Sequence, residues 1–320
     1  MIRWGVVGPG KIATQFAEGM TMIPDGTIVA VASRARERAD AFADRFGIGA
    51  RYGDYESLAA DADVDAVYVA TPHSFHAANS ILFLGAHKHV LCEKPLAVTA
   101  HQAETMVQAA RANGVFLMEA MWSRFLPAYR ILVDLLGEER VGDPLVVEAD
   151  FGFRAPVDPD HRLFAPALAG GATLDLGVYT VQLCTLVLGA PERVVADGVI
   201  GSTAVDEVVA AILHHPGDRL GVVKAAIRAT FACRGRVTGT QGWIDVPPFM
   251  HRPEWLEVGG ATGTERIEAG YEGEGLRFQV MEVHACLAAG RLESTIMPLD
   301  ESLVVARVLD QIRSQVGIAL

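Results

Sequence analysis

Residues 4–13 read Trp4-Gly5-Val6-Val7-Gly8-Pro9-Gly10-Lys11-Ile12-Ala13. An apolar run that opens at Ile2 ends in Gly-x-Gly-x-x-Ala and passes straight into an amphipathic segment. The first glycine permits a tight turn, the second lets a pyrophosphate approach the backbone, and the small third residue lets strand and helix pack closely. The helix N-terminus favours the anion. Such a motif carries weight only between a strand and a helix, which is its setting here.

Outward from this turn, further apolar runs end near Ser33, Ala70, Cys92 and Met118. Helical patterns lie between them, over 35–46, 75–84 and 100–112. In the last, Ala103, Met106, Val107 and Ala110 mark one face at spacings of three and four. Strand and helix alternating in this way predict βαβ units and a parallel sheet covered on both sides. After Met121 the pattern changes. A helix is expected over 128–136, then β-rich segments over 145–153, 193–200, 208–213, 221–231 and 243–246. A helix over 171–188 interrupts them, and two more, over 276–289 and 301–316, close the chain. The expected architecture is an α/β Rossmann domain with a parallel sheet over 1–121. An α+β domain with an open, largely antiparallel sheet follows over 122–320, and the C-terminal helix is expected to pack back on the first domain.

Composition narrows the partners. Of 320 residues, 51% are hydrophobic and 21% charged, and the net charge is −12. Such acidity disfavours nucleic acid and anionic membrane surfaces, so an anionic ligand needs a local basic cluster. No uninterrupted apolar run reaches the length of a membrane span, and the chain opens on a strand without a basic leader. Four scattered cysteines without a Cys-x-x-Cys pair suit a reducing compartment. A cytoplasmic enzyme is expected.

The end of the second strand sets the dinucleotide. NAD enzymes usually place an acid there for the ribose hydroxyls. This chain has Ser33-Arg34-Ala35-Arg36-Glu37-Arg38 instead. Arg34 and Arg38 fall one helical turn apart and suit a 2′-phosphate, with Ser33 as an added donor. NADP is therefore expected, with NAD as the alternative. Two later strands end in Ala70-Thr71-Pro72-His73-Ser74-Phe75-His76 and Cys92-Glu93-Lys94-Pro95-Leu96. Ligands of open α/β sheets bind at such carboxyl ends. His73 and His76 are three apart but lack a third metal ligand, so no metal is expected, and His76 reads as lining the cofactor site.

These segments resemble the Gfo/Idh/MocA (glucose–fructose oxidoreductase) family. The resemblance continues through Met118-Glu119-Ala120-Met121-Trp122-Ser123-Arg124-Phe125 and Gly170-Gly171-Ala172-Thr173-Leu174-Asp175-Leu176-Gly177-Val178-Tyr179. It is closest to the dimeric dihydrodiol dehydrogenase and NADP-dependent D-xylose dehydrogenase branch. It implies a Rossmann domain, an open-faced sheet domain and an active site between them. It also implies catalysis by Lys94 and a cofactor site built from Gly8, Pro9, Gly10, Lys11, Ile12, Thr71, Pro72, His73, Glu93 and Lys94. Many relatives end Asp-x-Gly-x-x-x-His; here Tyr179 follows Asp175-Leu176-Gly177-Val178, as in the dihydrodiol dehydrogenase branch. Substrate contacts are implied for Trp122, Arg124, Phe125, Phe153 and Phe278, with plain core packing as the alternative.

The residues themselves agree on chemistry. Asp175 and Tyr179 are four apart and share a helical face. A hydroxyl that gives up hydride from its carbon must also give up a proton, so the site needs a base. Tyrosine serves when a nearby cation favours the phenolate. Asp175 would hold substrate or the lysine, or else face the helix dipole. Arg154 and His161 are further candidates for a polar substrate. The expected function is an NADP-dependent dehydrogenase of a cyclic polyol, either an aldose such as D-xylose or a trans-dihydrodiol. A keto- or anhydro-sugar reductase and a non-catalytic dinucleotide-binding regulator are the alternatives. A homodimer through the open sheet, or a higher homo-oligomer, is expected.

Overall fold

The computed structural model describes residues 1–261 and 263–319. The chain divides into two compact units: Met1–Trp122 with Glu272–Ser302, and Ser123–Tyr271 with Leu303–Leu320.

The first unit holds a six-stranded parallel sheet in the order β3-β2-β1-β4-β5-β6. Its strands are β1 (Ile2–Val7), β2 (Gly26–Ala32), β3 (Ala50–Tyr52), β4 (Ala66–Val69), β5 (His89–Glu93) and β6 (Leu117–Ala120). Helices α1 (Lys11–Met20), α2 (Arg36–Phe46), α3 (Tyr55–Ala59), α4 (His76–Gly85) and α5 (Ala100–Asn113) connect them. The order reverses at β1, so the ends of β1 and β4 lie side by side and open a crevice for a ligand. Trp4, Phe16 and Tyr68 are fully buried, with the Phe16 and Tyr68 rings stacked at 4.0 Å.

The second unit begins with α6 (Pro127–Gly137) and is built on an eight-stranded sheet, β14-β13-β12-β11-β7-β10-β9-β8. The strands are β7 (Pro144–Gly152), β8 (Arg193–Ile200), β9 (Asp206–His215), β10 (Arg219–Ala226), β11 (Gly235–Gly239), β12 (Gly242–Val246), β13 (Trp255–Gly260) and β14 (Gly263–Glu268). Pairing is antiparallel except between β7 and β10. Period-2 alternation buries Val147, Ala149, Val223, Ala225, Val237 and Ile244 on one face. Helix α7 (Val178–Leu188) packs on the same strands and is apolar nearly all round, as a core helix must be. The stretch Pro166–Leu188 is apolar enough to cross a membrane by composition, but 89% of its most apolar window is buried inside the fold.

The predicted strand at 221–231 ends sooner, at Ala226. The predicted helix at 171–188 is two pieces, a π-helical turn over Thr173–Gly177 and then α7. Helices α8 (Arg277–Ala288) and α9 (Leu299–Gln315) lie within two residues of their expected spans.

Candidate active site

In the first unit, four strand ends supply the site. Gly8 has φ +80°, and a Cβ there would lie 2.9 Å from Ala70 O and Thr71 N. Only glycine lets the β1 turn press against the end of β4. Gly10 differs: a Cβ on it would meet nothing closer than Gly8 O at 3.9 Å. Protein packing does not require that glycine, whereas a pyrophosphate laid on the backbone does. Ala13 is fully buried, as close strand–helix packing demands. The first turn of α1 carries no acid, so its N–H groups are open to an anion.

At the end of β2, the Ser33 hydroxyl accepts from the Ala35 amide at 3.3 Å and shapes the turn. Helix α2 starts only at Arg36, so Arg34 precedes the helix and does not share a helical face with Arg38, as the spacing had implied. The Arg34 guanidinium lies 4.6 Å above the Phe75 ring, and its charge works against the burial that raises the Tyr55 pKa. Arg36 pairs with Asp40 at 3.0 Å. Among the described residues Arg38 pairs with no carboxylate. This basic turn suits a phosphate beyond the ribose.

The turn that carries Lys94 is fixed from all sides. Glu93 is buried and accepts from the Tyr68 hydroxyl and from the Lys94 amide, the latter at 3.2 Å. The Leu96 amide donates to Glu119 at 3.0 Å. His76 Nδ1 lies 2.8 Å from Pro95 O, and its Nε2 lies 2.8 Å from Thr71 O. Asn79 donates to the Thr71 hydroxyl at 3.1 Å. Lys94 itself stays half-buried. His76, expected to line the cofactor site, has no exposed surface and spends both ring nitrogens on backbone carbonyls. It ties the β4 turn to the β5 turn. Its carbonyl partners favour a second ring proton, but burial and the Lys94 charge outweigh them and hold its pKa below the usual imidazole value. His73 meets His76 edge-on at 5.6 Å. Among the described residues no three His, Cys, Asp or Glu side chains gather as a metal site.

In the second unit, Asp175 and Tyr179 are both buried, at 5% and 6% exposure. Asp175 sits in the π-helical turn, a geometry often found at functional sites. Arg162 pairs with it, Nη1 to Oδ1 at 2.9 Å and Nη2 to Oδ2 at 3.4 Å. The Tyr179 ring lies 5.6 Å from Phe151 and 5.5 Å from His251, and those two rings stack at 4.8 Å. The sequence reading missed Arg162 and His251, because each reaches the site from an irregular segment without periodic pattern.

Arg124, implied as a substrate contact, is a correction. It is 1% exposed, and its guanidinium donates to the Gln182 side chain at 2.9 Å and to the Gln182 carbonyl at 3.0 Å. Gln182 in turn donates to the Tyr129 hydroxyl, which donates to Met250 O, while Ser123 donates to His251 O. This network locks α7 to the segment bearing His251, so Arg124 serves the scaffold of Tyr179. Trp122 and Phe125 are buried, Phe153 is 37% exposed, and Phe278 lies beneath the Arg277 guanidinium. Arg154 and His161 are exposed, and the His161 ring accepts the Leu163 amide.

Comparison with known proteins agrees with these features. Residues 2–121 match the oxidoreductase family model with an NAD-binding Rossmann fold, and residues 129–245 match the GFO/IDH/MocA C-terminal domain. Trans-1,2-dihydrobenzene-1,2-diol dehydrogenase of Xenopus laevis is 36% identical over 99% of this chain and 98% of its own. The Mus musculus enzyme of that name is 38% identical over 99% and 97%. Among solved structures, a 3-ketoreductase from Actinomadura kijaniata in complex with NADP and TDP-benzene superposes with a TM-score of 0.89, at 26% identity and 98% coverage of both chains. Aldose-aldose oxidoreductase from Caulobacter crescentus, complexed with glycerol, also gives 0.89, at 25% identity and 98% and 97% coverage. The chain is an oxidoreductase with an NAD(P)-binding Rossmann domain and belongs to the Gfo/Idh/MocA family.

Proposed function

We propose that this enzyme oxidises a secondary or hemiacetal hydroxyl of a cyclic polyol with NADP, a trans-dihydrodiol being the first choice and an aldose such as D-xylose the second. The observation that carries the reading is the buried Asp175–Tyr179 pair beside the π-helical turn, in a chain matched along 99% of its length by trans-dihydrodiol dehydrogenases. Gly8, Gly10 and the start of α1 hold the pyrophosphate, and Arg34 and Arg38 take the 2′-phosphate. The bound dinucleotide supplies the hydride acceptor. Tyr179 takes the hydroxyl proton and Asp175 fixes the substrate oxygens, while Lys94 is the catalytic cation contributed by the first unit. Similarity to a 3-ketoreductase supports the same chemistry run in reverse. The four cysteines are free and buried, which suits a reducing cytoplasm.

A homodimer through the open face of the second sheet completes the reading. Val195, Ile212 and Val222 lie in register across β8, β9 and β10, with Val195 45% and Ile212 42% exposed. The same row continues through Glu148, Arg236, Asp245 and Glu257, so one basic and three acidic side chains lie beside an apolar patch. Such a face suits a second copy of itself.

General acid–base catalysis contributes about 10²–10⁴-fold. Tyr179→Phe should lower kcat on that scale and leave NADP binding intact. The alkaline rise of the oxidation rate with pH should vanish with it. Near-normal turnover with an unchanged profile would remove Tyr179 as the base.

A further inference from the structure

Gly170 and Gly171 are adjacent glycines with one shared burden. A Cβ on Gly170 would lie 2.6 Å from Leu163 O and 2.7 Å from Arg162 O. Gly171 has φ +118° and donates its amide to Leu163 O at 2.9 Å, and a Cβ on it would collide with Asp206 Oδ1. The backbone of Arg162 and Leu163 therefore rests directly on the glycine pair. The turn is also closed on itself, since the Phe164 and Ala165 amides donate to His161 O and the Leu163 amide donates to the His161 ring. From this seat Arg162 reaches Asp175. The Asp175 side chain is 7% exposed and that of Arg162 is 50% exposed. A carboxylate so buried needs a partner to stay charged, and the planar two-pronged guanidinium fixes orientation as well as charge.

We propose that Arg162 is the positioning residue for Asp175: the loop seated on Gly170-Gly171 delivers its guanidinium, which sets the charge and rotamer of the carboxylate. This rests on the assignment of Asp175 to the substrate site made above. The test uses the full chain with Arg162→Met, Arg162→Lys, Asp175→Asn and the Arg162→Met/Asp175→Asn double variant. Trans-1,2-dihydrobenzene-1,2-diol and D-xylose are the probes, melting temperature checks folding, and fluorescence reads NADPH binding. Asp175→Asn should lower kcat/KM at least tenfold. Arg162→Met should approach that loss, with NADPH affinity within about twofold of the parent. The double variant should be no worse than Asp175→Asn alone, and Arg162→Lys should recover part of the loss. Wild-type kinetics in Arg162→Met, or losses that multiply in the double variant, would overturn the inference. Wild-type kinetics in Asp175→Asn would overturn the assignment of Asp175 instead. If neither probe turns over, the crystal structure of Arg162→Met decides: a displaced Asp175 carboxylate supports the inference, and an unmoved one contradicts it.

Discussion

In the proposed reading, Arg34 is the residue on which cofactor choice turns. A charge-assisted bond to a phosphate contributes about 1.5–3 kcal/mol, and about 1.4 kcal/mol is a factor of ten. Arg34→Ala should therefore raise the NADP Michaelis constant roughly tenfold or more while NAD kinetics barely change. Equal losses with both would assign Arg34 to the fold, through Phe75 and Tyr55. His76 makes a second residue-scale case. Its ring lies between the carbonyls of Thr71 and Pro95 and donates to one of them, so His76→Leu leaves a buried acceptor without a donor, at a cost of about 1–3 kcal/mol. The variant should melt earlier and lose turnover, because the Lys94 turn loosens. Its lowered pKa also has a pH consequence. An unfolded imidazole near 6.5 binds protons that the folded one refuses, so this stability is complete above pH 6.5 and is lost as pH falls below it. Chemical denaturation of the wild type between pH 7 and 5 should show that loss, and His76→Leu should not share it. Motif spacing placed Gly8, Lys94 and Tyr179 on their elements correctly. The family resemblance misjudged Arg124, and placement at a strand end misjudged His76, since burial of a polar side chain depends on partners far along the chain.

At the scale of elements, the start of α7 depends on β9. Asp206 is 2% exposed and accepts from the Thr173 amide at 2.6 Å and from its hydroxyl at 2.7 Å, pinning the π-helical turn that bears Asp175. Burial raises its pKa, and the Thr173 bonds and Arg313 oppose the rise only in part. The sign follows directly: the protonated form is the favoured one in the fold, so its contribution is greatest below the unfolded value near 3.8 and declines as pH rises through the folded value. Asp206→Asn, which keeps an acceptor, should gain stability relative to wild type as pH rises from 4 to 7. Asp206→Ala should lose about 1–3 kcal/mol in denaturant unfolding, because the Thr173 amide is left buried and unpaired. The α/β alternation and the longer strands of the second sheet were legible because their burial is periodic. Strands β11, β13 and β14 were not. The first is short and bounded by glycines, the second ends in two glycines, and the third is a polar, exposed edge strand without an apolar face. The π-helical turn leaves no local signature either, because its residues fit an α-helix equally well.

The division of the whole molecule shows the same limit. Residues 272–302 return to the first unit, where Trp4 donates to His284 Nε2 at 3.0 Å and Asp25 meets His284 Nδ1 at 2.9 Å. A contact between residues 280 positions apart has no periodic trace in sequence, and a boundary at 121 alone does not reveal it. The open face of the second sheet makes a prediction for the assembled protein: light scattering at micromolar concentration should give the mass of a dimer, and Ile212→Lys should shift it towards 34.2 kDa. A monomeric wild type would remove that face as an interface. An NADP-linked oxidation of a cyclic polyol is read by nicotinamide absorbance with NADP or NAD across trans-dihydrodiols, aldoses and inositols. NADPH formation is expected, fastest with a trans-dihydrodiol and at least tenfold better in kcat/KM than with NAD. Binding of NADPH without turnover of any hydroxyl, or of the matching ketones in reverse, would contradict it.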